Sequence, residues 1–186
     1  MRIVGGRLKG RVLKSPMTDA IRPTSDRLRE SLFNILAHAY DEPCAGARVI
    51  DLFAGTGALG FEALSRGASF AVMVDQDAEA DALIRANAEA LGLSGSARIL
   101  RRDARKLGEA PAGGRFSLAL LDPPYGKDLA PPALMALRDG GWLAKDALVI
   151  VEESEKSPAN MPEGFSLIEE RRYGPTRVVF ARHLCG

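Results

Sequence analysis

A chain of 186 residues that is 46% hydrophobic has the size and apolar content of one globular domain, and none of its apolar runs approaches the roughly 18 residues needed to span a membrane. Two distant cysteines, Cys44 and Cys185, with two histidines and no CxxC, argue against a disulfide scaffold and against a metal site. The net charge is only +1, yet residues 1–30 carry eight Lys/Arg against three Asp/Glu, an excess of +5 that leaves −4 for the rest. Such an arm suits a polyanionic partner, although a solvated surface has the same composition. The N-terminus lacks the apolar core of a signal peptide, so a cytoplasmic location is expected.

In chain order, "RIVGGRLKGRVLKSP" reads as two short strands around a glycine-rich turn, a hairpin. "TSDRLRESLFNILAHAY" changes to helical period. Leu28, Leu32, Ile35 or Leu36, and Ala39 form its stripe, and Thr24 or Ser25 is the N-cap. After "DEPCAGA", strands and helices alternate. "ARVIDLFA" is a strand and "GALGFEALSRG" a helix closed by Gly67. "SFAVMVD" is a strand and "AEADALIRANAEALG" a helix closed by Gly92. "ARILRRD" and "FSLALLD" are strands, a helix lies near "APPALMALRDG", and "DALVIVEES" is a strand. "FSLIEERRYGPTRVVFARH" closes the chain as an antiparallel pair about a Gly-Pro turn. Alternation of this kind gives an α/β fold, a mostly parallel sheet with helices on both faces. Residues 1–40 are expected to form an N-terminal extension and 41–186 the main domain.

The loop "DLFAGTGALG" places Gly55, Gly57 and Gly60 as G-x-G-x-x-G between a strand and a helix, with Asp75 twenty residues after Gly55. The pattern predicts a nucleoside-bearing cofactor whose ribose hydroxyls meet Asp75. It does not choose between NAD and S-adenosylmethionine. Asp51 helps, because a carboxylate just before the glycines repels a pyrophosphate and favours an ammonium and a sulfonium. Asp103 and Asp122 end two further strands. Together the four acids suit a cationic cofactor and an amine substrate, whereas any one of them alone could simply cap a helix.

"LLDPPYGK" ends a buried strand in Asp122-Pro123-Pro124-Tyr125. Proline cannot extend a ladder, and Pro124 holds Pro123 extended, so the stretch is a stiff loop presenting a carboxylate, a carbonyl and a phenol ring.

With "RIVGGRLKGR", "IRPTSDRLRESLFNIL" and "DLFAGTGALGFEALSRGA", in this order, the "LLDPPY" segment resembles the RsmD family of bacterial 16S ribosomal RNA guanine-N2 methyltransferases. The resemblance runs along nearly the whole chain. It implies a Rossmann-like class I methyltransferase fold with a seven-stranded sheet, an antiparallel C-terminal strand, and a small N-terminal hairpin and helix extension. S-adenosyl-L-methionine is the implied cofactor, with Asp51, Phe53, Gly55, Thr56, Gly57, Gly60, Asp75, Asp103 and Ala104 as candidates to bind it. Family members often carry Glu where this chain has Asp75, which predicts a shifted ribose contact. Asp122, Pro123, Pro124 and Tyr125 are the candidate catalytic group. The implied partner is 16S rRNA within the assembled small ribosomal subunit, gripped by Arg2, Arg7, Lys9, Arg11, Lys14 and Arg22. Nothing demands a dimer, so a monomer is expected. An adenine-N6 methyltransferase acting on DNA or RNA would share the two main motifs. An NAD-dependent oxidoreductase is disfavoured by Asp51 and by the lack of a credible hydride-relay histidine. Arg171, Arg172 and Tyr173 form a weaker second RNA candidate or an ordinary edge strand, and Trp142 is expected in the core.

Overall fold

The computed structural model describes residues 1–16, 25–157 and 160–184. Arg22, the N-cap candidate Thr24 and Cys185, all singled out above, lie outside the described residues.

The sheet has seven strands: β1 (Arg48–Leu52), β2 (Phe70–Asp75), β3 (Ala97–Arg101), β4 (Phe116–Leu121), β5 (Leu143–Ser154), β6 (Phe165–Tyr173) and β7 (Thr176–His183). Their order is β3-β2-β1-β4-β5-β7-β6. The first five are parallel, and β7 pairs antiparallel with both β5 and β6. From β1 the chain winds outward through β2 and β3, then returns to place β4 on the other flank. The strand order therefore reverses between β1 and β4, which opens a crevice at their carboxyl ends.

Alternation along each strand divides the core. Val49, Ala71, Met73, Leu118 and Leu120 face one apolar cluster, while Ile50, Val72, Val74, Ala119 and Leu121 face the other. Helices α2 (Ala58–Ser65) and α3 (Ala78–Leu91) cover the first face and α4 (Ala130–Asp139) the second. Burying each large aliphatic side chain on these faces contributes about 1.5–3 kcal/mol. Trp142 belongs to the second cluster, with its indole N–H donating to the Gly108 carbonyl at 2.8 Å. No described helix is long and apolar enough to cross a membrane.

Helix α1 (Asp26–Ala39) begins where the Ser25 hydroxyl accepts the Leu28 amide. Its buried face is Arg29, Leu32, Phe33 and Leu36, spaced i, i+3, i+4, i+7. Leu32 and Leu36 are buried as expected and Leu28 and Ile35 pack against the same cluster, whereas Ala39 is exposed and Arg29 and Phe33 take its place inside, Arg29 held by ionic partners. Its guanidinium donates to Asp26 at 2.7 Å and to the Arg2 carbonyl, and lies 3.7 Å from Glu62. Glu62, also fully buried, pairs with Arg66 at 2.8 Å and accepts the Val4 amide at 2.9 Å. The network ties the N-terminal arm, α1 and α2 together.

The N-terminal hairpin is short. Its arms meet at a single antiparallel bridge, Arg2 with Val12, around a 3-10 turn at Gly6–Leu8. Several of its backbone amides face the main domain instead of each other: Val4 donates to Glu62, Leu8 to the Ser65 hydroxyl and Lys14 to Asn87. Ile3 and Leu13 share the apolar cluster of the first sheet face.

Candidate functional site

The crevice predicted by the strand order is a cleft of about 520 Å³. It is built around the loop from β1 to α2. Phe53 takes a positive φ of 61°, a conformation uncommon for a bulky residue and one that clusters at functional sites. Gly57 follows with φ 78° as the N-cap of α2. A Cβ on Gly57 would lie 2.6 Å from the Phe61 ring, and one on Gly60 would lie 2.6 Å from the Met73 methyl and 3.2 Å from Asp51. The two glycines thus let α2 settle directly on β1 and β2. Phe53, Gly55 and Thr56 line the cleft, while Gly57 and Gly60 shape it from beneath.

Three strand-end acids converge on this loop, each held differently. Asp51 is 1% exposed; its Oδ2 accepts the Gly60 amide at 2.9 Å, and its buried Oδ1 accepts no hydrogen bond among the described residues. It therefore braces the first turn of α2 and keeps one acceptor unused. Burial pushes its pKa up to about 7; the Gly60 amide opposes the shift and the charge of Asp75 adds to it. Asp75 accepts the Gly55 amide at 2.9 Å on one oxygen and the Asp77 amide at 3.0 Å on the other. Each oxygen keeps a further lone pair. Asp103 is gripped by the guanidinium of Arg105, at 2.8 Å for the shortest contact, and that hydrogen bond holds its carboxyl below the usual range. Ala104 lies beside it in the wall.

Across the cleft stands the loop after β4. The Asp122 amide donates to the Leu52 carbonyl at 3.3 Å, so the β1–β4 ladder continues one step beyond the strands before the prolines end it. Asp122, Pro123, Pro124 and Tyr125 all line the same cleft as Asp51, Asp75 and Asp103. The Tyr125 hydroxyl is not loose: it bonds Glu152 at 2.9 Å and Thr176 at 2.8 Å.

The basic arm divides. Arg2, 69% exposed, ion-pairs weakly with Asp26 at 3.8 Å. Lys14 is exposed, and its amide and carbonyl bond Asn87, whose side chain also donates to the Thr56 carbonyl. The backbone neighbours of these two cations reach the glycine loop, since the Met1 sulfur meets the Thr56 hydroxyl at 3.5 Å and Asn87 links Lys14 to the Thr56 carbonyl, but neither cation lines the cleft. Arg7 and Lys9 are exposed around the 3-10 turn, which packs at Ser65, the last residue of α2. That is about 12 Å along the helix from the loop. Arg11 donates to the Ala90 carbonyl at 2.7 Å, where a cation favours the carboxyl end of α3. Of the weaker candidates, Arg171 pairs with Glu169 and Arg172 with Glu155.

Sequence patterns missed other lining residues. Ser25 and Leu28 reach the cleft from α1, Arg102 and Arg105 from the end of β3, and Glu152 and Thr176 from β5 and β7. Glu152 carried a signal: it continues the apolar run "ALVIV" in a strand buried on both faces, where an acid needs a reason.

The family model described as "Conserved hypothetical protein 95" matches residues 1–182. The chain is 38% identical over 175 residues to ribosomal RNA small subunit methyltransferase D of Escherichia coli, spanning 94% of this chain and 85% of that one. The solved structure of yhhF from Escherichia coli has a TM-score of 0.83 at 33% identity, covering 99% of this chain and 98% of the other. The magnesium protoporphyrin IX methyltransferase of Synechocystis, solved with bound SAM, shares the fold at 17% identity, with a TM-score of 0.61 over 84% of this chain and 78% of that one.

Proposed function

The chain belongs to the RsmD family, and from that premise we propose that it methylates the exocyclic N2 amine of a guanine in 16S ribosomal RNA, with S-adenosyl-L-methionine as the methyl donor. One observation carries the reading: a single cleft joins the glycine loop and three strand-end acids to the Asp122-Pro123-Pro124-Tyr125 loop. The residues fit the cofactor, because the unused buried oxygen of Asp51 is an acceptor for a cationic group and would repel a phosphate. When bound, the cofactor supplies an electrophilic methyl on a sulfonium.

The protein's task is then to present the amine. The lone pair of an exocyclic guanine nitrogen is delocalised into the ring, which makes it a poor nucleophile. The Asp122 carboxylate and the Pro123 carbonyl accept its two N–H groups and draw the nitrogen toward a tetrahedral shape. The recovered lone pair would be directed at the methyl carbon, and as the C–N bond forms the C–S bond would break, the neutral thioether S-adenosylhomocysteine leaving. Holding both reactants in this pose lowers the barrier, and acceptors placed where positive charge develops lower it further. The alkylated nitrogen is acidic and passes a proton to Asp122 or water, so no strong base is needed. The Tyr125 ring stacks on the base once it has left its helix or loop. Residues 1–40 serve as the RNA grip: Arg2 and Lys14 meet phosphates near the cleft, and Arg7, Lys9 and Arg11 meet them further along the chain. The remainder is the cofactor-binding domain. The chain acts as a monomer on the assembled small subunit.

The test is nucleoside mass spectrometry of small-subunit particles before and after treatment with enzyme and S-adenosylmethionine. New N2-methylguanosine in 16S rRNA is the expected product. N6-methyladenosine in its place would transfer the assignment to adenine chemistry.

A further inference from the structure

We infer that Glu152 and Thr176 are positioning residues of the methyl transfer, holding the Tyr125 ring beside the amine site through its hydroxyl. The inference rests on the proposed methyltransferase reading and extends it to residues that no motif contains.

Tyr125 sits in irregular chain between the end of β4 and the start of α4. On such a loop a ring would sample several orientations before a base arrived. Here its far end is fixed from the sheet. Glu152 accepts from the phenol at 2.9 Å, and the Thr176 hydroxyl completes the pair at 2.8 Å. Both residues are 5% exposed, and both line the cleft. They come from different strands yet share a face, because Thr176 pairs with Ser154, two residues from Glu152 on β5. The loop tip therefore takes its position from the interior of a paired sheet.

A buried carboxylate is a poor device for stability alone, since an apolar residue of similar volume usually serves as well. It is a good device for fixing an aromatic plane, since the ring's orientation is settled before the substrate binds. Burial, with the charges of Glu152 and Asp122 adding to it, pushes the phenol above its ordinary range, while Thr176 opposes the shift. The hydroxyl thus stays protonated at working pH and acts as a hydrogen-bonded anchor and not as a base.

The test is single-turnover transfer of labelled methyl to small-subunit particles, with cofactor binding measured in parallel by calorimetry. Glu152→Ala and Tyr125→Phe should each slow transfer by roughly ten- to a hundredfold, the scale of one lost hydrogen bond to a charged group. Glu152→Gln, whose carbonyl oxygen still accepts, should stay within about threefold of wild type. The Tyr125→Phe/Glu152→Ala double variant should be no slower than the slower single one, because both changes break the same contact. Cofactor affinity should not move. Should Glu152→Ala fail to fold, Thr176→Val against Thr176→Ser makes the same comparison. Losses that multiply in the double variant, Gln as slow as Ala, or a parallel loss of cofactor affinity would each overturn the positioning role and leave the methyltransferase reading standing. A wild-type enzyme inactive on both particles and free 16S rRNA would overturn both.

Discussion

The cleft and the N-terminal arm came from the same sequence with unequal clarity. In the cleft, function rests on backbone conformation and short spacing. Glycines mark where α2 must approach the sheet, prolines mark where β4 must stop, and acids mark strand ends. Each is a local constraint, so the structure brings Asp51, Asp75, Asp103 and Asp122 to one cavity. In the arm, the proposed grip on RNA depends on where exposed cations lie, and composition reports charge without position. Five of its cations look equivalent in sequence, yet the backbone at Arg2 and Lys14 is tied through Met1 and Asn87 to the glycine loop, while Arg7, Lys9 and Arg11 sit at the far ends of α2 and α3.

The sharpest way to break this contrast is at the residue that the local pattern marks most strongly. Asp122→Ala should lower the single-turnover rate about a hundredfold or more, by analogy with the loss of one preorganised polar group that stabilises transition-state charge. Cofactor affinity should persist. Asp122→Asn keeps an accepting oxygen and loses the charge, so it should retain partial activity. Wild-type rates for Asp122→Ala would reduce the tetrapeptide to a turn.

A second test addresses the glycine loop. Gly57→Ala places a methyl 2.6 Å from the Phe61 ring at a residue with φ 78°, so crowding and backbone strain act together. The expected loss is about 1–3 kcal/mol. Melting should drop by roughly 2–4 °C for each kcal/mol lost, and cofactor affinity should fall with it. An unchanged melting temperature would mean that the loop relaxes freely.

The buried ionic network shows why part of the fold was illegible. Arg29 lies in register with Leu32, Phe33 and Leu36, so period alone could have placed it inside. Its shortest ionic contact, Asp26 at 2.7 Å, is local, but the Arg2 carbonyl and Glu62, 33 residues later in the chain, join it only through tertiary packing. The Tyr125 anchor has the same character, since Glu152 and Thr176 meet the phenol only after β5 and β7 have paired. The strands, helices and caps of residues 25–184 were readable because each depends on neighbours in sequence, whereas the two strands expected in the N-terminal hairpin reduce to one bridge, its amides being taken by the main domain. Ser25, Gly67 and Gly92 stand at the helix ends where the pattern placed them. Partners that meet only through tertiary packing were not readable.

The arm can be sharpened by dividing it. Neutralising Arg2 and Lys14 to Gln should flatten the salt dependence of RNA binding by about one log–log unit per lost phosphate contact, and should also slow transfer. The same change at Arg7, Lys9 and Arg11 should flatten binding while leaving the rate on saturating substrate near wild type. Unaltered binding in the second set would make the far end of the arm a solvated surface.

The smallest expected effect lies inside the cleft, at Asp51. Its folded pKa of about 7 stands above the ordinary 3.8, chiefly through burial. Below about pH 7 the carboxyl is largely neutral and offers little to a cationic cofactor, whereas above it the charge is present. Cofactor affinity should therefore rise with pH through this window, by at most tenfold per unit, and level off beyond it. Binding at pH 6 should release a proton, visible as a calorimetric enthalpy that depends on the buffer's ionisation heat, and the release should fade by pH 8. Stability without cofactor has the opposite trend. The folded state binds the extra proton between about 4 and 7, so this group's contribution is complete below 3.8 and is lost as pH rises through about 7. Asp51→Asn should remove both dependences. If the proton release survives that substitution, the titrating group is another acid of the cleft, and the unused oxygen of Asp51 is not where the cofactor's positive charge is received.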